Sequence, residues 1–184
     1  MDMTGTRLIA ASRQEVWAAL NDPTILRQCI TGCESLEMLS PTDMTARVKL
    51  AVGPVRATFS GKVRLTDIDP PNGYRIVGEG NGGVAGFAKG GAVVRLADDG
   101  RGTLMTYDVK ADVGGKLAQL GGRLIDSTAK RFADEFFTRF AELVGGAPAG
   151  AAAGAAAAPG STARGRWGWL RRWFRRRRDA AASV

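Results

Sequence analysis

The chain reads as an α+β protein in which a curved antiparallel sheet wraps on one long C-terminal helix, with a linker and an amphipathic basic tail behind it. Three observations predict this. Apolar or small residues recur three or four apart at Leu117, Leu120, Leu124, Thr128, Phe132, Phe136, Phe140 and Leu143, which is one face of a helix. Apolar and polar residues alternate through the middle of the chain, as half-buried strands do. From residue 145 onward the composition changes to Ala, Gly and Pro and then to Arg and Trp, which cannot build a core.

Taken in order, residues 4–10 alternate weakly and predict a first strand. Ser12-Arg13-Gln14-Glu15 is a capping box that opens a short helix with Val16, Trp17, Ala19 and Leu20 inside. Asn21-Asp22-Pro23 stops that helix and starts a second, with Ile25, Leu26 and Ile30 as its inner residues. Strands are then expected at 36–39, 44–52, 55–65, 74–79, 92–96 and 104–113, separated by the turns Pro41-Thr42-Asp43, Gly53-Pro54, Pro70-Pro71-Asn72-Gly73 and Asp98-Asp99-Gly100. The glycine-rich stretch 78–91 is expected to form either a mobile flap over a cavity mouth, with Val84 and Phe87 as apolar tips, or an ordinary hairpin turn. The closing helix is expected over 116–144, between Gly114-Gly115 and Gly145-Gly146. Its opposite face carries Arg123, Asp126, Lys130, Asp134 and Arg139, and the Gly121-Gly122 pair inside it costs about 1 kcal/mol per Gly, which predicts a packing or cavity reason.

The formal charge is +8, but residues 1–144 hold 18 Lys and Arg against 17 Asp and Glu, and the rest hold eight Arg and one Asp. The body therefore has no basic footprint of its own, and a partner chosen by charge is chosen by the tail. With two cysteines, Cys29 and Cys33, and no histidine, a four-ligand zinc site cannot form within one chain, and buried or half-buried thiols are expected. The glycines of 78–91 are not followed by Lys-Ser or Lys-Thr, and a strand rather than a helix comes next, so neither nucleotide-binding fingerprint has its context. No nucleophile has an evident base; Glu79 and Tyr107 are the polar residues that could lie near a cavity, and Tyr107 could orient a ligand by one hydrogen bond. No catalytic residues and no metal site are assigned. The first residues lack the apolar core of a secretory signal, so a cytoplasmic location is expected.

The order of one strand, two short helices, six strands and a long helix resembles the helix-grip fold of the START and pollen-allergen (SRPBCC) superfamily. More narrowly, Gly78-Glu79-Gly80-Asn81-Gly82, Gly86-Phe87-Ala88-Lys89-Gly90 and the run from Lys116-Leu117-Ala118-Gln119-Leu120-Gly121-Gly122 to Ile125 resemble the G-subunit family of carbon monoxide dehydrogenase. The resemblance covers residues 1–144. One departure is Thr31 in Ile30-Thr31-Gly32-Cys33, where the family pattern carries proline.

The resemblance implies an apolar cavity between sheet and helix, for which the inward candidates are Val48, Leu50, Phe59, Val63, Ile76, Phe87, Met105, Tyr107, Leu117, Leu120, Gly121 and Leu124. The same residues would also serve as an ordinary filled core. It further implies an accessory role rather than catalysis: tethering a molybdenum hydroxylase of the carbon monoxide dehydrogenase type to the cytoplasmic membrane and carrying a quinone, its apolar ligand, between enzyme and bilayer, with no covalently bound cofactor. The chain divides into a ligand-binding body (1–144), an Ala/Gly/Pro linker (145–163) that spans on the order of 25 Å as a coil, and a tail (164–184). Wound as a helix, the tail sets Trp169, Leu170, Trp173 and Phe174 against Arg171, Arg172, Arg175 and Arg176, with Trp167 just before them. Such a segment lies in an anionic membrane interface and is too short to span it, which predicts a peripheral protein at the cytoplasmic face of the inner membrane. Nucleic-acid binding by the same Arg and Trp residues is the rival reading, ranked below the membrane. A ligand-free interaction protein and a small-molecule enzyme of the same fold are the rivals for the body.

Overall fold

The computed structural model describes residues 1–145. The tail and all of the linker beyond Gly145 lie outside the described residues. The elements follow as β1 (Asp2–Ile9), α1 (Arg13–Leu20), α2 (Pro23–Cys29), β2 (Cys33–Met38), β3 (Asp43–Val52), β4 (Val55–Asp69), β5 (Gly73–Asn81), β6 (Phe87–Asp99), β7 (Gly102–Gly114) and α3 (Gly122–Gly145). The seven strands form one antiparallel sheet in the order β1-β7-β6-β5-β4-β3-β2. Strands β2 to β7 meander, each pairing with the next, and β1 closes beside β7. The two edge strands, β1 and β2, are therefore consecutive in the chain, and α1 and α2 carry it from one edge to the other.

Local chemistry sets the helix ends. Glu15 Oε2 accepts the Ser12 N–H at 2.9 Å while Ser12 Oγ accepts the Glu15 N–H at 3.3 Å, so the capping box is closed. Asp22 Oδ1 accepts the Thr24 N–H at 2.8 Å, with Pro23 in the first turn of α2, where a missing N–H costs nothing. The main core gathers Ile9, Val16, Leu20, Cys29, Met44, Leu65, Tyr74, Val94, Leu96, Met105 and Phe140. Phe140 is fully buried and stacks on Phe136 at 5.7 Å between ring centroids. Thr31 Oγ1 donates to Glu135 Oε2 of α3 at 2.6 Å, a bond that proline at this position could not make. Burial pushes the Cys29 thiol up to about 11, with Arg139 acting the other way, and raises that of the half-buried Cys33.

Several expectations need correction. The last helix begins at Gly122, not at residue 116. Leu117 caps a 3-10 turn at Ala118–Leu120, and Gly121, at φ +85°, separates that turn from α3. Both Gly121 and Gly122 are exposed, and a Cβ on either would meet nothing within 4 Å. The pair is explained by the left-handed backbone at Gly121, not by packing. On α3, Leu143 is 46% exposed, while Asp134, expected in water, is half-buried. Residues 78–91 are no loose flap. Strand pairing runs from Val77↔Gly91 to Asn81↔Phe87, and only the Gly82–Gly86 connection, with a 3-10 turn at Gly83–Ala85, lies outside the strands.

Candidate ligand-binding site

The inner face of the sheet holds two apolar clusters. The first is the main core, against which Val63 and Ile76 pack and of which Met105 is a member. The second lies where β3, β4 and β7 approach the 3-10 turn before α3. Phe59, Ala85 and Leu117 are buried there, with Leu50, Val52, Val55, Ala57, Val113 and Leu120 half-buried around them.

Between the clusters the middle strands carry mostly glycine and alanine on this face. One row across the strands reads Ala46, Gly61, Gly80, Ala88, Val113, and the next reads Met44, Val63, Gly78, Gly90, Ala111. These positions share the inner face because side chains alternate along each strand. A Cβ at Gly80 would meet nothing within 4 Å, and one at Gly61 would meet only carbonyl oxygens of neighbouring strands. Helix α3 makes its close approaches to β3 and to β1, toward opposite edges of the sheet, and to α1 and α2. Its Phe136, Phe137 and Phe140 also pack on the main core, which reaches the central strands.

Residues placed in the cavity from the sequence divide as follows. Leu50, Phe59, Leu117 and Leu120 meet in the second cluster; Val63, Ile76 and Met105 belong with the first; Val48 pairs in register with Phe59. Leu124 reaches over Gly53, 2.8 Å from where a Cβ there would stand. Phe87 turns to the outer face, half exposed, its ring beside Gly114, and Gly121 points into open space. Glu79 is exposed on the outer face, in register with Lys62 and Lys89, so it does not face Tyr107.

Tyr107 is buried, stacked on Phe137 of α3 at 5.0 Å, with its hydroxyl over Gly5 of β1, where any Cβ would overlap it. Among the described residues no group hydrogen-bonds that hydroxyl. Beside it, Arg7 reaches from β1 to an ion pair with Asp134, and its guanidinium lies 5.4 Å from the centre of the Phe137 ring. Asp134 also accepts from Lys130 Nζ at 2.8 Å; the Lys130 bond and charge, with Arg7, hold its carboxyl below the usual range. The arrangement sets a stretch of small residues between two apolar clusters and leaves one phenol, over β1, without a hydrogen-bond partner among the described residues. It brings together no nucleophile and base.

What the sequence reading missed is this floor of small residues. Gly61, Gly78, Gly80 and Gly90 continue the two-residue period of the apolar positions, and that phase was the available signal. Two other hollows lie elsewhere. One of about 630 Å³ runs along the solvent face of α3 past Lys130, Arg131, Glu135 and Arg139. Another of about 610 Å³ lies on the outer face of the sheet around Asp69, Arg75, Arg95 and Thr106. Neither is lined by a residue assigned to the ligand cavity.

The sequence model of the CoxG family, the G-subunit family of carbon monoxide dehydrogenase, matches residues 5–145. Among solved structures, a conserved protein from Geobacillus kaustophilus is 32% identical with a TM-score of 0.74, covering 78% of this chain and 95% of that one. A START superfamily protein from Mycobacterium smegmatis superposes with a TM-score of 0.61 at 14% identity, covering 78% and 96%. A protein from Thermus thermophilus superposes with a TM-score of 0.60 at 15% identity, covering 78% and 97%. The last two likenesses show the fold alone. No curated protein matches the chain.

Proposed function

The chain belongs to the CoxG family of carbon monoxide dehydrogenase, and on that premise we propose that it is a ligand-binding accessory protein that carries a quinone between a membrane and a molybdenum hydroxylase of the carbon monoxide dehydrogenase type. The single observation that supports ligand binding is the glycine and alanine floor between two apolar clusters, crossed by α3. A quinone suits such a site: its ring and isoprenoid chain are apolar, and one carbonyl can accept from the unpartnered Tyr107 hydroxyl. The partner enzyme follows from the family's name. The membrane follows from the Arg and Trp residues at 164–184, which would hold the chain at the cytoplasmic face of the inner membrane. No helix among the described residues is long and apolar enough to cross a membrane.

The test is solvent extraction of the full chain purified from membranes, with mass spectrometry of the extract, and a melting series with an added short-chain quinone. Quinone in the extract and a rise in Tm with added quinone are expected. An empty extract with no melting shift would leave the ligand-free interaction protein as the better account. Vesicle affinity left unchanged by removal of residues 164–184 would sink the tail's role.

A further inference from the structure

The strands run between two ends of the body. The β3–β4 turn at Gly53-Pro54, the β5–β6 connection at Gly82–Gly86 and the exit of β7 share one end; the β2–β3, β4–β5 and β6–β7 turns share the other. At the second end four cations are paired, Arg13 with Asp98, Arg64 with Asp43, Arg75 with Asp67 and Arg101 with Asp99, and Arg95 makes no ion pair among the described residues. At the first end Lys49, Arg56, Lys116 and Arg123 are exposed, and none makes an ion pair among the described residues. The acids nearby are Asp126, one helical turn from Arg123, Asp2, in register with Lys110, and Glu79 and Asp112, which flank Lys89 across the strands. The near-zero balance of the body thus conceals a local excess of cations, and the expectation that the body lacks a basic footprint is corrected.

Two apolar side chains stand out from the same end. Val84 is 86% exposed and Phe87 is 50% exposed. They sit on a built turn: Asn81 Oδ1 accepts the Gly83 N–H at 2.7 Å, Gly86 O accepts the Gly82 N–H at 2.8 Å, and Ala85 O accepts the Leu117 N–H at 3.0 Å. Ala85 is buried in the second cluster while its neighbour Val84 is held outward.

We infer that this end of the body docks on an anionic lipid bilayer, with Val84 and Phe87 entering the interface and Lys49, Arg56, Lys116 and Arg123 meeting the headgroups. This deepens the proposed function and rests on it for the membrane. A protein partner fits less well. A stable protein interface needs about 800 Å² on each side, whereas here the apolar groups protrude from one convex turn and the cations ride on separate elements. A fluid interface conforms to such a shape and rewards apolar tips ringed by cations. The second cluster and the glycine and alanine floor lie directly behind the docked turn, so an apolar ligand would pass between bilayer and floor without crossing water.

The experiment uses the full chain carrying Cys33→Ser and Val84→Cys, labelled at position 84 with a polarity-sensitive fluorophore; Cys29 is buried and does not compete. The probes are vesicles of phosphatidylcholine alone or mixed with phosphatidylglycerol. A blue shift on the mixed vesicles is expected, with none from a control label at Leu39→Cys, which is 67% exposed at the opposite end. Each cation near an anionic surface is worth roughly fivefold in partitioning before screening. Changing Lys49, Arg56, Lys116 and Arg123 together to Gln should therefore cut insertion of the label at least about tenfold at low salt. If the chain sediments with anionic vesicles while the label still reports water, docking by this end is overturned and the membrane reading stands. If it neither sediments nor shifts, both fall. A shift produced by the partner hydroxylase without lipid would make this end a protein face and overturn the inference.

Discussion

Filling the floor at Gly80 separates a ligand site from a packed core. Gly80 is half-buried on the inner face and lacks the left-handed backbone that would forbid a side chain, and a Cβ there meets nothing within 4 Å. Gly80→Leu should therefore fold, and replacing a strand-interior glycine gains about 0.5 to 1 kcal/mol, a rise of roughly 1–4 °C in Tm for a body of this size. The ligand loses what the leucine takes. If about three methylenes' worth of contact is displaced, affinity falls by about 2.4 kcal/mol, or roughly fifty-fold. Quinone at about one hundred times the wild-type Kd stabilises the wild type by about 2.7 kcal/mol; the same concentration would stabilise the variant by only about 0.6 kcal/mol. Thermal melting with and without a short-chain quinone reads both numbers. A Gly80→Leu chain destabilised by several kcal/mol would mean that the space is packed core. An unchanged quinone shift would mean that the ligand binds elsewhere.

Two further predictions concern stability. Phe140→Ala, at a fully buried position stacked on Phe136, should cost about 3 to 5 kcal/mol in urea unfolding; a loss under about 1 kcal/mol would show that this end of α3 is not held by the core. Asp43 is held down to about 2 by hydrogen bonds from Arg64, Ser40 and Thr42. A carboxyl depressed in the folded state contributes stability above its unfolded value near 3.9 and loses it as pH falls toward 2. The Tm gap between wild type and Asp43→Asn should therefore close on acidification from about pH 5, and a gap that is constant with pH would refute the assignment.

The alternating strands were legible because burial of one face imposes a two-residue period, and Val55 to Leu65 displays it without interruption. Strand ends were not. Gly78 and Gly80 extend the phase of Tyr74 and Ile76, but glycine carries no hydrophobic mark, so a paired hairpin could also be read as a flap. The start of α3 was misplaced for a related reason: Leu117, Leu120 and Leu124 have helical spacing, yet one φ of +85° at Gly121 divides them, and spacing does not report a single backbone angle. Tyr107 could be placed on the inner face from its phase in β7, but its fixed orientation depends on Gly5 and Phe137, more than a hundred and about thirty residues away in the chain. The basic end escaped because a summed charge has no direction; only the meander brings Lys49, Arg56, Lys116 and Arg123 together.

The seam of small residues between the two clusters also bears on how the body opens. Few large side chains stand between the clusters, so the end built on Phe59, Ala85 and Leu117 is expected to loosen before the part built on Ile9, Met105 and Phe140. Native-state amide exchange would register this as two tiers of protection, with strand amides around Gly80 and Ala88 opening at lower free energy than those around Val94 and Met105. If the proposed quinone carriage holds, turnover would then be limited by the opening of one small unit and uncoupled from the barrier that keeps the whole chain folded.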